Sequence, residues 1–499
     1  MDMRKWIGII TLALPAVASA GGFEFSAPGT QAAQRGGAMV ARADDPSALW
    51  INPAGLGKTR NWAIYVGGAF LHYDLTFQRE GTYPAHETGT NPAYVGSPYP
   101  EMSSSTLKII PSIGVAARFG KLGVGLGLFG PQGNPDRDFG CSFADGQCMV
   151  AADGRPAPQR YDIISQSALV AFPSLGASYR VHDLVDVGAR VTWGFGHIKA
   201  RTFTWGITNH GEDPNLDADF ELDVKDAFVP TFGFGALARP MANLEVGVMY
   251  KRQATIDAKG PSTADLGSGL GLPGQPDRLE PVTPGTEACQ EGGTSAILRS
   301  CVTFKTPMAV NAGARWIFRD ATGGEKADVE LDLTWENWSN ASDINIVVDA
   351  RSTTTLLTLR PVVLRHGFND TLGVRLGGSY NIPVGLNRLQ VRGGLSYDTA
   401  AAPNSWTRLD LDGTDKVIAS AGGAFRFGMW TVDLGFAYGF VPSRTVTDLA
   451  NPTPTYDNRT QPDPAQPLQE PTEQIHHPYN AGQYSAGYWM GNVGVTAEF

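Results

Sequence analysis

The chain has 499 residues, 18% of them charged, and a net charge of −10. An acidic chain lacks the basic face that nucleic acid demands, so no nucleic-acid partner is expected. Beyond the first twenty residues no apolar run approaches the ~18 residues of a transmembrane helix, and 10% aromatics argue against disorder. Gly 60 and Pro 34 are well above ordinary usage, which leaves a Gly-rich, aromatic-rich, acidic β protein.

Residues 1–20 read as a secretory signal peptide. Arg4 and Lys5 precede the apolar stretch Trp6 to Val17, and Ala18-Ser19-Ala20 is a small-x-small cleavage site. Pro15 opposes a buried helix there. Cleavage leaves Gly21-Gly22-Phe23 as the mature start, with no Cys at 21 to carry a lipid. In an exported chain four cysteines read as disulfides, and local spacing pairs Cys141 with Cys148 and Cys289 with Cys301. No CxxC spacing and no neighbouring His support a metal site instead.

The mature chain is a series of alternating segments. Val374, Leu376, Gly378 and Tyr380 alternate with Arg375, Gly377 and Ser379. Val432, Leu434, Phe436, Tyr438 and Phe440 alternate with Asp433, Gly435, Ala437 and Gly439. Period two marks strands with one apolar and one polar or small face. A soluble sandwich and a transmembrane barrel both fit that pattern. Aromatic residues at segment ends (Tyr250, Tyr397, Tyr438, Phe440) favour the barrel, as does a last strand ending at Phe499. Fourteen strands are expected, near 61–79, 104–119, 121–132, 160–180, 184–205, 220–239, 242–259, 302–318, 327–350, 366–382, 387–399, 415–427, 430–441 and 486–499. Short turns such as Phe119-Gly120-Lys121 and Arg239-Pro240-Met241 follow the even strands, and long polar connections follow the odd ones. That parity puts both termini in the periplasm. The expected organisation is therefore an all-β transmembrane antiparallel barrel over 61–499, with residues 21–60 as a hatch inside the lumen. The hatch lacks alternation. Asp45 or Ser47 can cap a short helix that Pro53 ends.

Several residue groups carry a family resemblance. Gly22-Phe23, Gly36-Gly37-Ala38, Ala43-Asp44-Asp45 and Asn52-Pro53-Ala54-Gly55-Leu56 resemble the N-terminal hatch of the FadL family of outer-membrane transporters. Tyr250-Lys251-Arg252, Trp335-Glu336-Asn337-Trp338-Ser339, Phe368-Asn369-Asp370-Thr371 and Arg392 to Asp398 resemble its later strands. The resemblance implies a fourteen-stranded barrel of the Gram-negative outer membrane that acts as a monomer, without cofactor, moving long-chain fatty acids or similar hydrophobic molecules such as hydrocarbons inward. It also implies a kink and lateral opening at strand three, so that ligand leaves into outer-membrane lipid, and a gate near the mature N-terminus, where Phe23 is the third residue. The disulfides depart from the family pattern.

Other motifs carry readings of their own. Gly125-Leu126-Gly127-Leu128-Phe129-Gly130 matches GxGxxG, but Pro131 follows where a helix should open and no βαβ unit surrounds it. Within a strand those glycines mark either ordinary curvature or a weakened wall. Pro111 and Pro173 lie on the neighbouring strands, and Asn52 is a source of polar partners for a broken ladder. Asp410, Asp412 and Asp415 resemble part of a calcium loop but lack the bidentate Glu. His476 and His477 lack a third ligand, and no Ser/His/acid order suggests a lipase. Arg118, Arg190, Arg315, Arg375 and Arg392 sit on polar strand faces; they either receive a ligand carboxylate or pair with acids such as Asp44, Asp45 and Asp398. Leu266, Leu270, Leu272 and Ile297 give the outer loops near 206–219 and 260–302 apolar surface for ligand capture. The competing reading is a general diffusion porin or a structural or adhesive barrel. No enzymatic activity is expected.

Overall fold

In the computed structural model, fourteen antiparallel strands close into one barrel. The structure describes residues 28–85, 91–129, 136–140, 142–144, 147–149, 155–205, 213–267, 271–272, 275–282, 289, 297–354, 356, 359, 361–446 and 479–499. The strands are β1 (Trp62–Arg79), β2 (Glu101–Phe119), β3 (Leu122–Phe129, resumed at Arg137–Asp138), β4 (Ser165–His182), β5 (Val185–Trp205) and β6 (Asp217–Met241). They continue with β7 (Leu244–Lys251 and Thr255–Leu266), β8 (Leu298–Lys305 and Ala309–Arg319), β9 (Glu325–Glu336 and Asp343–Val348) and β10 (Val362–Arg365 and Thr371–Val384). The last are β11 (Asn387–Asp398), β12 (Lys416–Phe427), β13 (Trp430–Phe440 and Arg444–Val446) and β14 (Gly482–Glu498). β14 pairs with β1 from Ala63↔Glu498 to Arg79↔Gly482, so no edge is left.

The alternation turns large apolar side chains outward, the reverse of a soluble sandwich. On β5 the outward parity reads Val185, Val187, Ala189, Val191, Trp193, Phe195, then His197 and Lys199. Trp193 is 62% exposed although it is flanked by paired strands. From Val185 to Phe195 the rise along a strand tilted by ~40° is about 25 Å, the height of a lipid-facing belt. The inward parity carries Asp186, Arg190 and Thr192, all buried.

Four neighbouring strands are interrupted at one level. Lys251 pairs with Ala309, Ala309 with Glu336 and Glu336 with Thr371, and past those pairs the ladder breaks in β7, β8, β9 and β10 together. The strands expected to run unbroken over 242–259, 302–318 and 327–350 are therefore each interrupted, and the one expected over 366–382 starts at Thr371. A 3-10 turn at Trp338–Ala341 splits β9. Asp370 accepts from Asn337 Nδ2 at 3.0 Å and from Ser339 Oγ at 2.6 Å, and these side-chain bonds take the place of ladder bonds. Pro240 also lies within β6 rather than in the turn after it.

Inside the barrel lies the N-terminal segment, with helical turns at Thr30–Gln34 and Ala48–Ile51 and a 3-10 turn at Pro53–Lys58. Nearly all of it is buried. Ser47 is the N-cap residue of the helix Ala48–Ile51 but makes no side-chain cap bond, and Asn52 caps the 3-10 turn that follows, its Oδ1 accepting from Ala54 N at 3.2 Å. Cys289 and Cys301 form a disulfide at the outer end of β8. Cys141 lies outside the described residues, so the Cys141–Cys148 pairing does too.

Candidate functional site

The internal segment meets the wall in two ways. On one side β9 presents Asp328, Glu330 and Asp332 inward, and the parity of the strand puts all three carboxylates on the lumen. Arg35 contacts Asp328 at 2.8 Å and Glu330 at 3.0 Å, both ends of each pair fully buried. Arg42 reaches Asp328 at 2.9 Å and Glu325 at 3.2 Å. Arg315 of β8 binds the same Asp328 at 2.9 Å, with Glu245 at 2.8 Å, and Lys58 joins Glu245 at 2.9 Å. The backbone is gripped as well. Met39 and Val40 N–H donate to Asp332 Oδ2, and Ala41 and Arg42 N–H donate to Glu330 Oε1, at 2.7–3.1 Å.

On the other side the contact is close backbone packing. A Cβ on Gly123 would meet Gly57 N and Leu56 C at 2.7 Å, and one on Gly125 would meet Leu56 Cδ2 at 2.7 Å. Glycine here lets the wall touch the segment directly. The ladder is intact: Gly125 pairs with Ala116 and Gly176, and Gly127 with Gly114 and Ser174. The wall is therefore closed at these glycines. Past Phe129, residues 130–135, Gly130 among them, lie outside the described residues. There β2 and β4 run on, and Lys108 Nζ donates across to Ala168 O at 2.6 Å and to Asp136 Oδ1 at 2.9 Å. Asn52 does not serve this strand; its Nδ2 donates to Val40 O at 2.8 Å and toward Ala236 O of β6.

A cavity of about 100 Å³ lies between the segment and β7–β13. Val40, Ile51, Met249, Ile418 and Ala437 give it apolar surface, while Lys251, Glu336, Arg375, Asp398 and Lys416 give it charge. Trp50 forms part of its lining and is itself sandwiched. The Arg190 guanidinium lies 3.7 Å from its ring centre, and Phe172 of β4 stacks at 5.3 Å. Phe172 pairs with Phe129, the last residue of the intact β3 ladder. Trp50, Phe172, Phe129 and Leu56 belong to one buried apolar cluster, which joins the lining of the cavity to the outer end of Leu122–Phe129.

The arginines singled out in the sequence are distributed as follows. Arg190 Nη1 donates to Trp50 O at 2.8 Å. Arg392 binds Asp433 and Gln34 Oε1, and Arg375 binds Asp398 at 3.2 Å and Thr334 Oγ1 at 2.6 Å. Arg118 reaches Gly57 O at 3.4 Å. Of these, Arg375 lines the cavity. Pro53 and Ala54 pack against Gly188 of β5. Among the loop residues, Leu266 is half-buried and Ile297 exposed; Leu272 lies in a two-residue strand, Gly271–Leu272, and Leu270 and Phe23 lie outside the described residues. His476 and His477 also lie outside them. Sequence reading missed Asp328, Glu330, Asp332, Trp50 and Lys108. The carboxylates at every second position from 328 to 332 were the available signal.

Loops roof the outer end. Arg160 binds Asp217 at 2.9 Å, Arg408 binds Asp162 at 2.9 Å and Asp410 at 3.1 Å, and His366 Nε2 lies 3.0 Å from Asp410. Burial pushes the Asp162 carboxyl up to about 6, with Arg408 acting against it. Burial opposes ionisation of Asp410 too, but Arg408 and His366 hold its carboxyl well below the usual range. Asp410 and Asp412 are thus partners of side chains: Asp412 accepts from Tyr73 OH and faces Arg137. Among the described residues no group of three or more His, Cys, Asp or Glu is placed to hold a metal ion.

The family description "Outer membrane protein transport protein (OMPP1/FadL/TodX)" matches residues 11–464. The chain belongs to this family. The FadL/TodX proteins are outer-membrane channels for hydrophobic compounds, not enzymes, and this chain is such a barrel of the outer membrane. A Pseudomonas aeruginosa FadL homologue aligns with a TM-score of 0.71 at 15% identity, covering 96% of this chain and 100% of that one. The Pseudomonas putida toluene transporter TodX gives 0.62 at 15% identity, covering 94% and 98%. The Ralstonia pickettii toluene transporter TbuX gives 0.59 at 14%, covering 94% and 98%. These likenesses are of fold. No curated protein matches in sequence.

Proposed function

We propose that this FadL/TodX-family channel takes up long-chain fatty acids or similar hydrophobic molecules passively. The outer loops, with Leu266, Leu270, Leu272 and Ile297, capture ligand, and the lumen cavity holds it beside a hatch formed by residues 21–60. It then leaves sideways into the membrane beside β3. The observation that carries this reading is the run of buried apolar side chains from Trp50 at the cavity through Phe172 to Phe129 of β3. Lateral release keeps a chain's methylenes out of water, which is worth about 0.8 kcal/mol each. Pro28 lines the cavity, which supports a gate role for Phe23 five residues earlier. Apolar surface together with Lys251, Arg375 and Lys416, set among Glu336 and Asp398, suits a ligand with a polar end. The similarity to toluene transporters supports a compact hydrocarbon as an alternative cargo.

The test places a charge in the path. Uptake of labelled palmitate and of toluene is measured in a deletion strain carrying Phe172→Asp or Phe172→Leu, with barrel folding followed by heat-modifiability. Phe172→Asp should lower uptake at least tenfold while Phe172→Leu retains it. Full uptake by a folded Phe172→Asp barrel overturns the lateral route. A large steady ionic conductance in wild type overturns hydrophobic uptake in favour of a diffusion porin.

A further inference from the structure

A second weak place in the wall lies between β6 and β7, away from β3. Below it, Lys251 pairs with Gly233, and Arg252 N–H donates to Phe232 O at 3.0 Å. Above it, pairing resumes at Lys259↔Lys225. Among the described residues no ladder pair joins 226–231 to 253–258, about 20 Å of strand. The opposite edge of β6 is also irregular. Gly194 pairs with Val229 and Gly196 with Asp226, so Ala227 and Phe228 form a bulge against Phe195 alone.

Hydrocarbon cannot satisfy backbone polar groups, so an interrupted wall at membrane depth needs other partners. Side chains supply them here. On the β5 side of β6, Trp193 Nε1 donates to Ala227 O in the bulge at 2.9 Å, and two bonds cross the seam itself. One Asp226 carboxylate accepts from Phe228 N at 2.9 Å and from Asp257 N at 2.7 Å. Thr231 Oγ1 donates to Arg252 O at 2.9 Å. The wall is thus closed by side chains, which can swing away, rather than by a ladder, which cannot.

The β6 edge of this seam is apolar on both sides, while the β7 edge leaves Arg252, Thr255 and Asp257 exposed. Outside, Trp193 and Phe228 are 62% and 58% exposed and meet edge to face at 5.4 Å. Trp193 lies eight residues above Val185 along β5, in the outer part of the lipid-facing belt. Inside, Val229, Ala254 and Ile256 are buried in the same cluster as Trp50 and Phe172. An apolar molecule dissolved in the outer leaflet would meet aromatic surface, a seam without backbone bonds, and then the interior that leads to the cavity.

We infer that the β6–β7 seam is a lateral window through which apolar solutes exchange between the outer leaflet and the lumen, separate from the route beside β3. It rests on the proposed reading that the lumen holds hydrophobic ligand. The experiment uses the full chain in proteoliposomes with N-phenyl-1-naphthylamine as probe, supplied either from water or already dissolved in the bilayer. Two variants are compared with wild type. Thr231→Val keeps the side chain's shape but removes the O–H that donates across the seam to Arg252 O, and it should speed exchange of bilayer-dissolved probe several-fold. An Ala227→Cys, Asp257→Cys pair closed by oxidation should slow that exchange at least fivefold and recover on reduction, with water-supplied probe bound as before. If both variants exchange bilayer-dissolved probe at the wild-type rate, or if the closed pair does not form, the window is wrong. If wild type binds no probe from either side, it is the hydrophobic-uptake reading that fails.

Discussion

The two sides of the internal segment differ in kind. Toward β8 and β9 it is held by a buried ionic lattice in which one carboxylate, Asp328, serves Arg35, Arg42 and Arg315. Toward β3 and β5 it is held by close packing on glycines and by one sandwiched indole. Buried ion pairs are directional, and breaking one partner strands the other in a poor solvent. Apolar backbone contact has no such penalty for sliding. The segment is therefore anchored by buried charge toward β9, and toward β3 and β5 by packing with a few hydrogen bonds such as Arg190 to Trp50 O. A hatch that opened toward β9 would have to break the lattice, whereas one that moved away from β3 would not.

The largest effect should come from the lattice. Asp328→Ala leaves three guanidiniums short of a buried partner, and removing one member of such a group is worth about 3–5 kcal/mol. We expect the segment to leave its seat. Limited proteolysis of residues 28–60 should rise more than a hundredfold, and single-channel recordings should show a new open state. A barrel that stays shut with an unchanged cleavage rate would mean that the lattice does not hold the segment.

The glycine side should respond less. Gly125→Ala puts a methyl 2.7 Å from Leu56 Cδ2, the end of a flexible side chain, at roughly 1–2 kcal/mol. Gly123→Ala meets the backbone of Leu56 and Gly57 instead and should be worse. Proteolysis of the segment should rise about tenfold without a stable open state. If Gly125→Ala proves as disruptive as Asp328→Ala, the contrast between the sides is lost. Arg190→Met comes next. It removes the bond to Trp50 O and the cation over its ring, together about 1–2 kcal/mol. We expect a several-fold faster uptake of an apolar probe if Trp50 limits passage, and no change if it does not.

The barrel was legible because every strand repeats one decision, apolar out and polar in, and a closed barrel makes that decision at each residue. Val374 to Tyr380 and Val432 to Phe440 announce it without help. The level where β7–β10 break was not legible. Asn337, Ser339 and Asp370 continue the polar run of their strands, and only the side-chain bonds reveal that they replace the ladder. The glycines of β3 were seen but not their use: a glycine that weakens a wall and one that admits a neighbouring backbone are the same letter. Nothing local in the sequence marks Trp50, since its partners Phe172 and Arg190 are over a hundred positions away. Sites between a plug and a wall are long-range contacts, and period-two patterning carries no information about them.

The smallest effect sharpens the comparison from a third direction, the roof. Asp162 is buried beside Arg408, and burial raises its carboxyl from 3.8 to about 6. A carboxyl raised in the folded state binds its proton more tightly folded than unfolded. Its contribution is therefore full below about pH 4 and is lost as the pH rises through 6. The neighbouring Asp410, held low, has the opposite sign and changes only in stronger acid. Between pH 5 and 7 the roof should thus loosen as pH rises. Hydrogen-exchange protection of 155–164 and 404–415 should fall by about tenfold over that interval. Asp162→Asn, which can still accept from Leu409 N, should flatten the dependence while leaving the buried lattice of Asp328 unaffected. A pH response that persists in Asp162→Asn assigns the titration to another group. One that appears equally in residues 28–60 means that roof and hatch move as one body, and the two sides of the hatch are then not independent of what closes above them.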